Sequence, residues 1–162
     1  MTGPAGNGPA GNGPAARLAE LGLELPKTAT PLGAYVPALR SGSHVYVSGQ
    51  LPLVDGELQA TGKVGAEVSA EQARDLAARC ALNALAAIDA LVGLDNIVRV
   101  VKVTGFVASA PGFTGQPGVL NGASDLFGAV FGEAGRHVRS AVGVAELPLG
   151  APVEVEVIVE VT

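Results

Sequence analysis

The chain is short of the residues from which many functional sites are made. It has one cysteine, Cys80, no tryptophan, two histidines and a single methionine in 162 residues. One cysteine excludes an internal disulfide and any metal site assembled from several thiolates, and it suits a reducing compartment. His44 and His137 have no metal-ligating partner at useful spacing, so no metal and no cofactor is expected. Basic residues are also few: Lys and Arg number 10 against 15 Asp and Glu, a net charge of −5. Ten scattered cations do not form the clustered patch that neutralises phosphates, so nucleic acid is not an expected partner. Long apolar runs are missing as well. The most apolar segment, Cys80 to Leu94, carries Asn83 and Asp89 and falls short of the roughly 18 residues a membrane span needs. The N-terminus lacks the basic and apolar regions of a signal peptide. A cytoplasmic protein without a membrane partner is expected. Aromatics make up only 4%, so small aliphatic side chains must fill the core.

What is present falls into an arm and one domain. Residues 3–15 read GPAGNGPAGNGPA, a five-residue repeat that lacks the every-third-residue glycine of collagen and reads as a flexible arm over residues 1–15. Its GNGPAG, Gly6 to Gly11, matches GxGxxG, but that fingerprint works only between a strand and a helix, and neither flanks it. The single domain then covers residues 16–162. Leu18 and Leu21 mark one side of a short helix that Gly22 ends. In HVYVSGQLP, Val45 and Val47 alternate with His44, Tyr46 and Ser48, as in a strand. DGEL, from Asp55, reads as a turn leading to another short strand.

The strongest helix signal covers Ala70 to Val92. Ser69 and Gln72 can form a capping box. Ala73, Leu76, Ala77, Cys80, Ala81, Ala84, Ile88 and Leu91 recur at helical steps, with Asp75, Arg79 and Asn83 opposite. NIVRVVKVTGFVAS is a β-branched strand, APGFTGQPG a loop, and Val119 to Gly135 a second helix. The last 24 residues read as a β-hairpin. The resulting expectation is an α/β sandwich, a mixed six-stranded sheet with two helices on one face.

The end of the chain raises the functional question. In the last strand Val153, Val155, Val157, Val159 and Val161 form one face, with Glu154, Glu156, Ile158 and Glu160 on the other. In the strand before it, Arg139, Ala141, Gly143 and Ala145 leave one face almost bare of side chain. Small residues weaken a strand, and close approach by a ligand or another backbone is a common reason to keep them. Two readings follow: a surface ion pair between Arg139 and Glu154, or a junction between subunits in which the arginine fork holds a small carboxylic acid.

The stretches GAYVPALRSG (Gly33 to Gly42), YVSGQLP (Tyr46 to Pro52) and RSAVGVAELPLGAPVEVEVIVEV (Arg139 to Val161) resemble the Rid/YjgF family of reactive-intermediate imine deaminases. The SAPGFTGQP insertion and the extra N-terminal helix resemble its longer, endoribonuclease-like branch. The resemblance runs from Ala16 to Val161. It implies a chorismate-mutase-like fold and a homotrimer whose open sheet faces form a central barrel, with sites between subunits. It also implies hydrolysis of short 2-imino or 2-enamino acids, such as 2-aminoacrylate, to a 2-oxo acid and ammonia without cofactor or metal. By motif, Arg139 matches the arginine that holds the substrate carboxylate and Glu154 the carboxylate that handles the attacking water. Tyr35, Ser48 and Gly49 match the pocket wall, and Asn121 a further pocket position. Ala141 stands where many imine deaminases have cysteine, so a backbone contact survives there and thiol chemistry does not. Two alternatives to the deaminase are a binding module for small 2-oxo acids and a ribonuclease; acidic charge and two histidines give the latter little support.

Overall fold

The computed structural model describes residues 13–31 and 33–162. The repeat through Asn12, with its GxGxxG match, lies outside them. Helix α1 (Pro14–Glu20) is followed by β1 (Ala38–Ser41), β2 (His44–Gln50), β3 (Leu53–Val54), β4 (Glu57–Leu58), α2 (Ala70–Val92), β5 (Ile97–Ala108), α3 (Gln116–Phe131), β6 (Val138–Val144) and β7 (Val153–Val161). Among the described residues, no helix is long and apolar enough to cross a membrane.

The main sheet has five strands in the order β1-β2-β7-β5-β6, while β3 and β4 form a separate two-stranded ribbon. The expected six-stranded sheet is therefore corrected to five. The ribbon closes on itself because Asp55 and Gly56 both have positive φ, the requirement of a tight two-residue hairpin turn.

The closing hairpin is also corrected. Strands β6 and β7 do not pair; β5 lies between them, parallel to β6 and antiparallel to β7. Alternation fixes which face a residue occupies but not which strand lies alongside. The 12-residue β5 offers both its edges, and residues 145–152 carry the chain past it. With β5 interposed, a cross-strand ion pair between Arg139 and Glu154 is ruled out.

Valines fill the interface between sheet and helices. Val45 and Val47 of β2, Val100, Val103 and Val107 of β5, and all five valines of β7 are buried there. They meet Ala73, Ala77, Cys80, Ala81, Ala84, Leu85 and Ile88 of α2 and Val119, Leu120, Ala123 and Phe127 of α3. Small side chains on α2 allow close approach to the sheet, which compensates for the scarcity of aromatics. Ser69 begins α2 by accepting the Gln72 N–H at 3.1 Å, and Gly93, at φ +83°, ends it. Replacing this cap by alanine, Ser69→Ala, is expected to lower unfolding free energy by about 1 kcal/mol in chemical denaturation.

Two positions on α2 depart from the amphipathic pattern. Leu91 is 45% exposed, near the end of the helix, and Asn83 is only 8% exposed. Asn83 is covered because residues 51–53 cross that side of α2, and its amide donates to the carbonyls of Leu51 and Leu53 at 2.9 and 3.1 Å.

Candidate functional site

Arg139 lies on β6 in register with Val103 of β5, and Val103 is in register with Val157 of β7. This row faces the helices, so the nearly bare face of β6 is turned toward α3 and not toward the open side of the sheet. At Gly143 a Cβ would stand 2.8 Å from Gln116 Nε2 and 3.0 Å from Ser109 Oγ, so a larger side chain there would displace the Gln116 amide. Ala141, on the same row, packs partly buried against the core.

The Arg139 guanidinium reaches the first turns of α3. Nη1 donates to Asn121 Oδ1 at 2.9 Å and to Ser124 Oγ at 3.1 Å, and Nη2 donates to the Pro117 carbonyl at 3.3 Å. A guanidinium has five N–H donors. Three are engaged, leaving Nε–H and one on Nη2, the number a bidentate carboxylate takes. A recess of about 320 Å³ opens beside it, lined by Ser124, Gly128, Gly135, Arg136, His137 and Arg139.

Glu154 occupies the other side of the sheet. It is in register with Phe106, which is in register with Val142, and this row faces away from the helices. The carboxylate packs against β2, where the register shifts between Val47 and Gln50. Gly49 lies in that irregularity, and a Cβ there would collide with the Glu154 carboxylate as it is placed, so a larger residue would displace that carboxylate. Burial, and then the like charge of Glu156, raise the Glu154 pKa above the ordinary carboxylate value. Among the described residues, no lysine or arginine pairs with it.

Tyr35 is 53% exposed and shares a recess of about 70 Å³ with Pro37, Gly49, Gln50 and Leu51. Ser48 ties this loop down: its hydroxyl donates to the Val36 carbonyl at 2.6 Å, and its N–H to the Pro37 carbonyl at 2.9 Å. The hydroxyl proton of Ser48 is thus used in shaping the wall of the recess.

The sequence-identified residues fall into two groups. Arg139, Asn121 and Ala141 lie on the helix side near the β6 edge. Glu154, Gly49, Ser48 and Tyr35 lie around β2 and the open sheet face. The two recesses have no lining residue in common. Ser124 and His137 were not singled out from sequence for the pocket, although spacing carried a signal for each. Ser124 lies three residues after Asn121 on one helix face, and His137 two residues before Arg139 along the chain.

A family model described as "YjgF/chorismate_mutase-like, putative endoribonuclease" matches residues 15–161. The chain belongs to this family. Its relatives include Protein TCP17 of Trypanosoma cruzi, 48% identical over 90% of this chain and 92% of that one. A 2-iminobutanoate/2-iminopropanoate deaminase of Dermatophagoides farinae is 32% identical over 85% of this chain and 93% of the relative. Among solved structures, Atu1372 of Agrobacterium tumefaciens superposes with a TM-score of 0.85, at 46% identity and 93% coverage of each chain. The YjgF-like fold therefore extends over the whole region that holds both groups of pocket residues.

Proposed function

We propose that this protein hydrolyses short 2-imino and 2-enamino acids to 2-oxo acids and ammonia, at sites assembled between subunits of a homotrimer. The observation that carries the reading is the division of the pocket. A carboxylate-binding group at Arg139 and a proton-accepting group at Glu154 lie on opposite faces of one sheet, so a second copy of the chain is needed to bring such groups together. The exposed apolar residues Leu39, Tyr46, Val138 and Val142, all on the face away from the helices, support subunit packing there. A similar deaminase, at 32% identity, supports the reaction class.

The chemistry asks little of the protein. The C=N carbon is already electrophilic, and Arg139 orients the substrate through its carboxylate. Glu154 accepts a proton from water as the oxygen bonds to that carbon. That proton passes to nitrogen, giving a carbinolamine; its hydroxyl then gives up the second proton by way of Glu154 to the departing nitrogen, the C–N bond breaks, and ammonia leaves as the 2-oxo acid forms. Neither metal nor redox step is required by this balance. Ala141 favours a second reading, binding of small 2-oxo acids without turnover, since it removes a thiol that many imine deaminases carry.

The test is to generate 2-aminoacrylate and longer 2-imino acids in situ and to follow ammonia release. Release above the buffer rate by the parent protein supports the enzyme; buffer-like behaviour overturns it. A monomer by sedimentation overturns the shared site. The pH profile adds a further expectation. Glu154 accepts a proton only when ionised, so kcat/KM should rise with pH along a limb lying above the ordinary carboxylate range of about 4.3. Glu156→Gln removes the like charge that helps to raise Glu154. The limb should then move to lower pH, leaving the variant more active than the parent on the acid side.

A further inference from the structure

We propose that Ser124 and His137 are positioning residues that hold the Arg139 guanidinium in the orientation in which it grips a carboxylate; this rests on the deaminase reading above. For a neutral imidazole the hydrogen-bond geometry defines one arrangement of protons. His137 Nδ1 lies 2.6 Å from the Gly135 carbonyl, which can only accept, so Nδ1 carries the proton. Nε2 is then bare and accepts the Ser124 hydroxyl at 2.9 Å. With its proton committed to His137, Ser124 presents lone pairs to Arg139 Nη1 at 3.1 Å. Orientation thus passes from a backbone carbonyl through the imidazole and the hydroxyl to the guanidinium. The ring of buried Phe127 meets the imidazole nearly edge-on, with centroids 5.9 Å apart at 84°, and fixes its plane.

The arginine needs such a guide. On the side of the recess its neighbours include Gly128 and Gly135, which offer no side chain against which the guanidinium could pack. A long, rotamer-rich side chain beside an open volume loses orientation unless hydrogen bonds supply it. Asn121 and Pro117 constrain two of its donors; Ser124 supplies the third contact, and His137 touches Arg139 only through Ser124.

The role is tested by steady-state kinetics on a 2-imino acid generated in situ. Ser124→Ala puts the best helix former in a helix, and it and His137→Phe are each expected to raise KM about tenfold, the factor that one hydrogen bond carries, with kcat changed less than about threefold. The double variant should be no worse than Ser124→Ala alone, because His137 acts through the serine. His137→Gln places an acceptor near the position of Nε2 and should restore most of the affinity. Calorimetric binding of 2-oxobutanoate should weaken in Ser124→Ala and His137→Phe, whereas binding of its methyl ester, which lacks the anion, should not. A parent protein without turnover overturns the deaminase reading and this role with it. An active parent whose variants keep its KM, or lose only kcat, overturns the positioning role alone.

Discussion

Glu154→Gln is expected to lower kcat for ammonia release from a 2-imino acid by about 10²–10⁴-fold, the range attributed to a positioned general base. The substitution keeps the shape of the side chain beside Gly49 and removes its ability to take a proton from water. Binding of a 2-oxo acid should persist, because the carboxylate grip is proposed for Arg139 on the other side of the sheet. The fold should persist too. Position 154 lies in β7, which is paired on both sides, and an amide avoids the burial and the Glu156 repulsion that disfavour the ionised carboxylate. Ammonia release and calorimetric affinity, measured on the same preparation, separate catalysis from binding. Undiminished release would remove Glu154 from the chemistry, while lost binding with a native melting curve would make it a substrate ligand.

The sequence carried the layers of this fold further than its connectivity. Valines at every second position of β7 and small apolar residues at helical steps along α2 identified the buried faces, because burial imposes the periods of strand and helix directly. Strand neighbours have no such local signature. The stretch from Arg139 to Val157 alternates twice with a turn between, and the same pattern suits strands that pair or strands that flank a third. Only the edges offered by β5 decide the matter. The same limit affected the pocket. Arg139 and Glu154 could be named by motif, but alternation within β6 did not say that its sparse face was turned toward α3. Asn83 shows another limit: its helical position lies opposite the apolar stripe, and a distant loop, residues 51–53, covers it. The Ser124–His137 contact was present as spacing alone, and it became chemistry only when the helical turn after α3 brought Gly135 and His137 under that helix.

Arg139→Ala should produce the second large effect, chiefly in binding. Two charge-assisted hydrogen bonds to a substrate carboxylate are worth about 3 kcal/mol or more together, so KM should rise about 100-fold or beyond. Orientation of the C=N carbon toward the water depends on the same grip, and kcat should fall as well. Arg139→Lys is expected to recover part of the loss, since an ammonium supplies charge but not the planar fork. Stability should change little. The groups left behind, Asn121 Oδ1, Ser124 Oγ and the Pro117 carbonyl, lie where Arg139 is itself only partly covered, and water can replace the guanidinium. The comparison that decides is between acids and esters. Arg139→Ala should lose its preference for a free 2-oxo acid over the corresponding methyl ester, measured as a ratio of dissociation constants, because both would meet a site without its cation. A variant that retains the parent's preference would move the carboxylate to another cation, and one that also retains the parent's KM would exclude Arg139 from the substrate site.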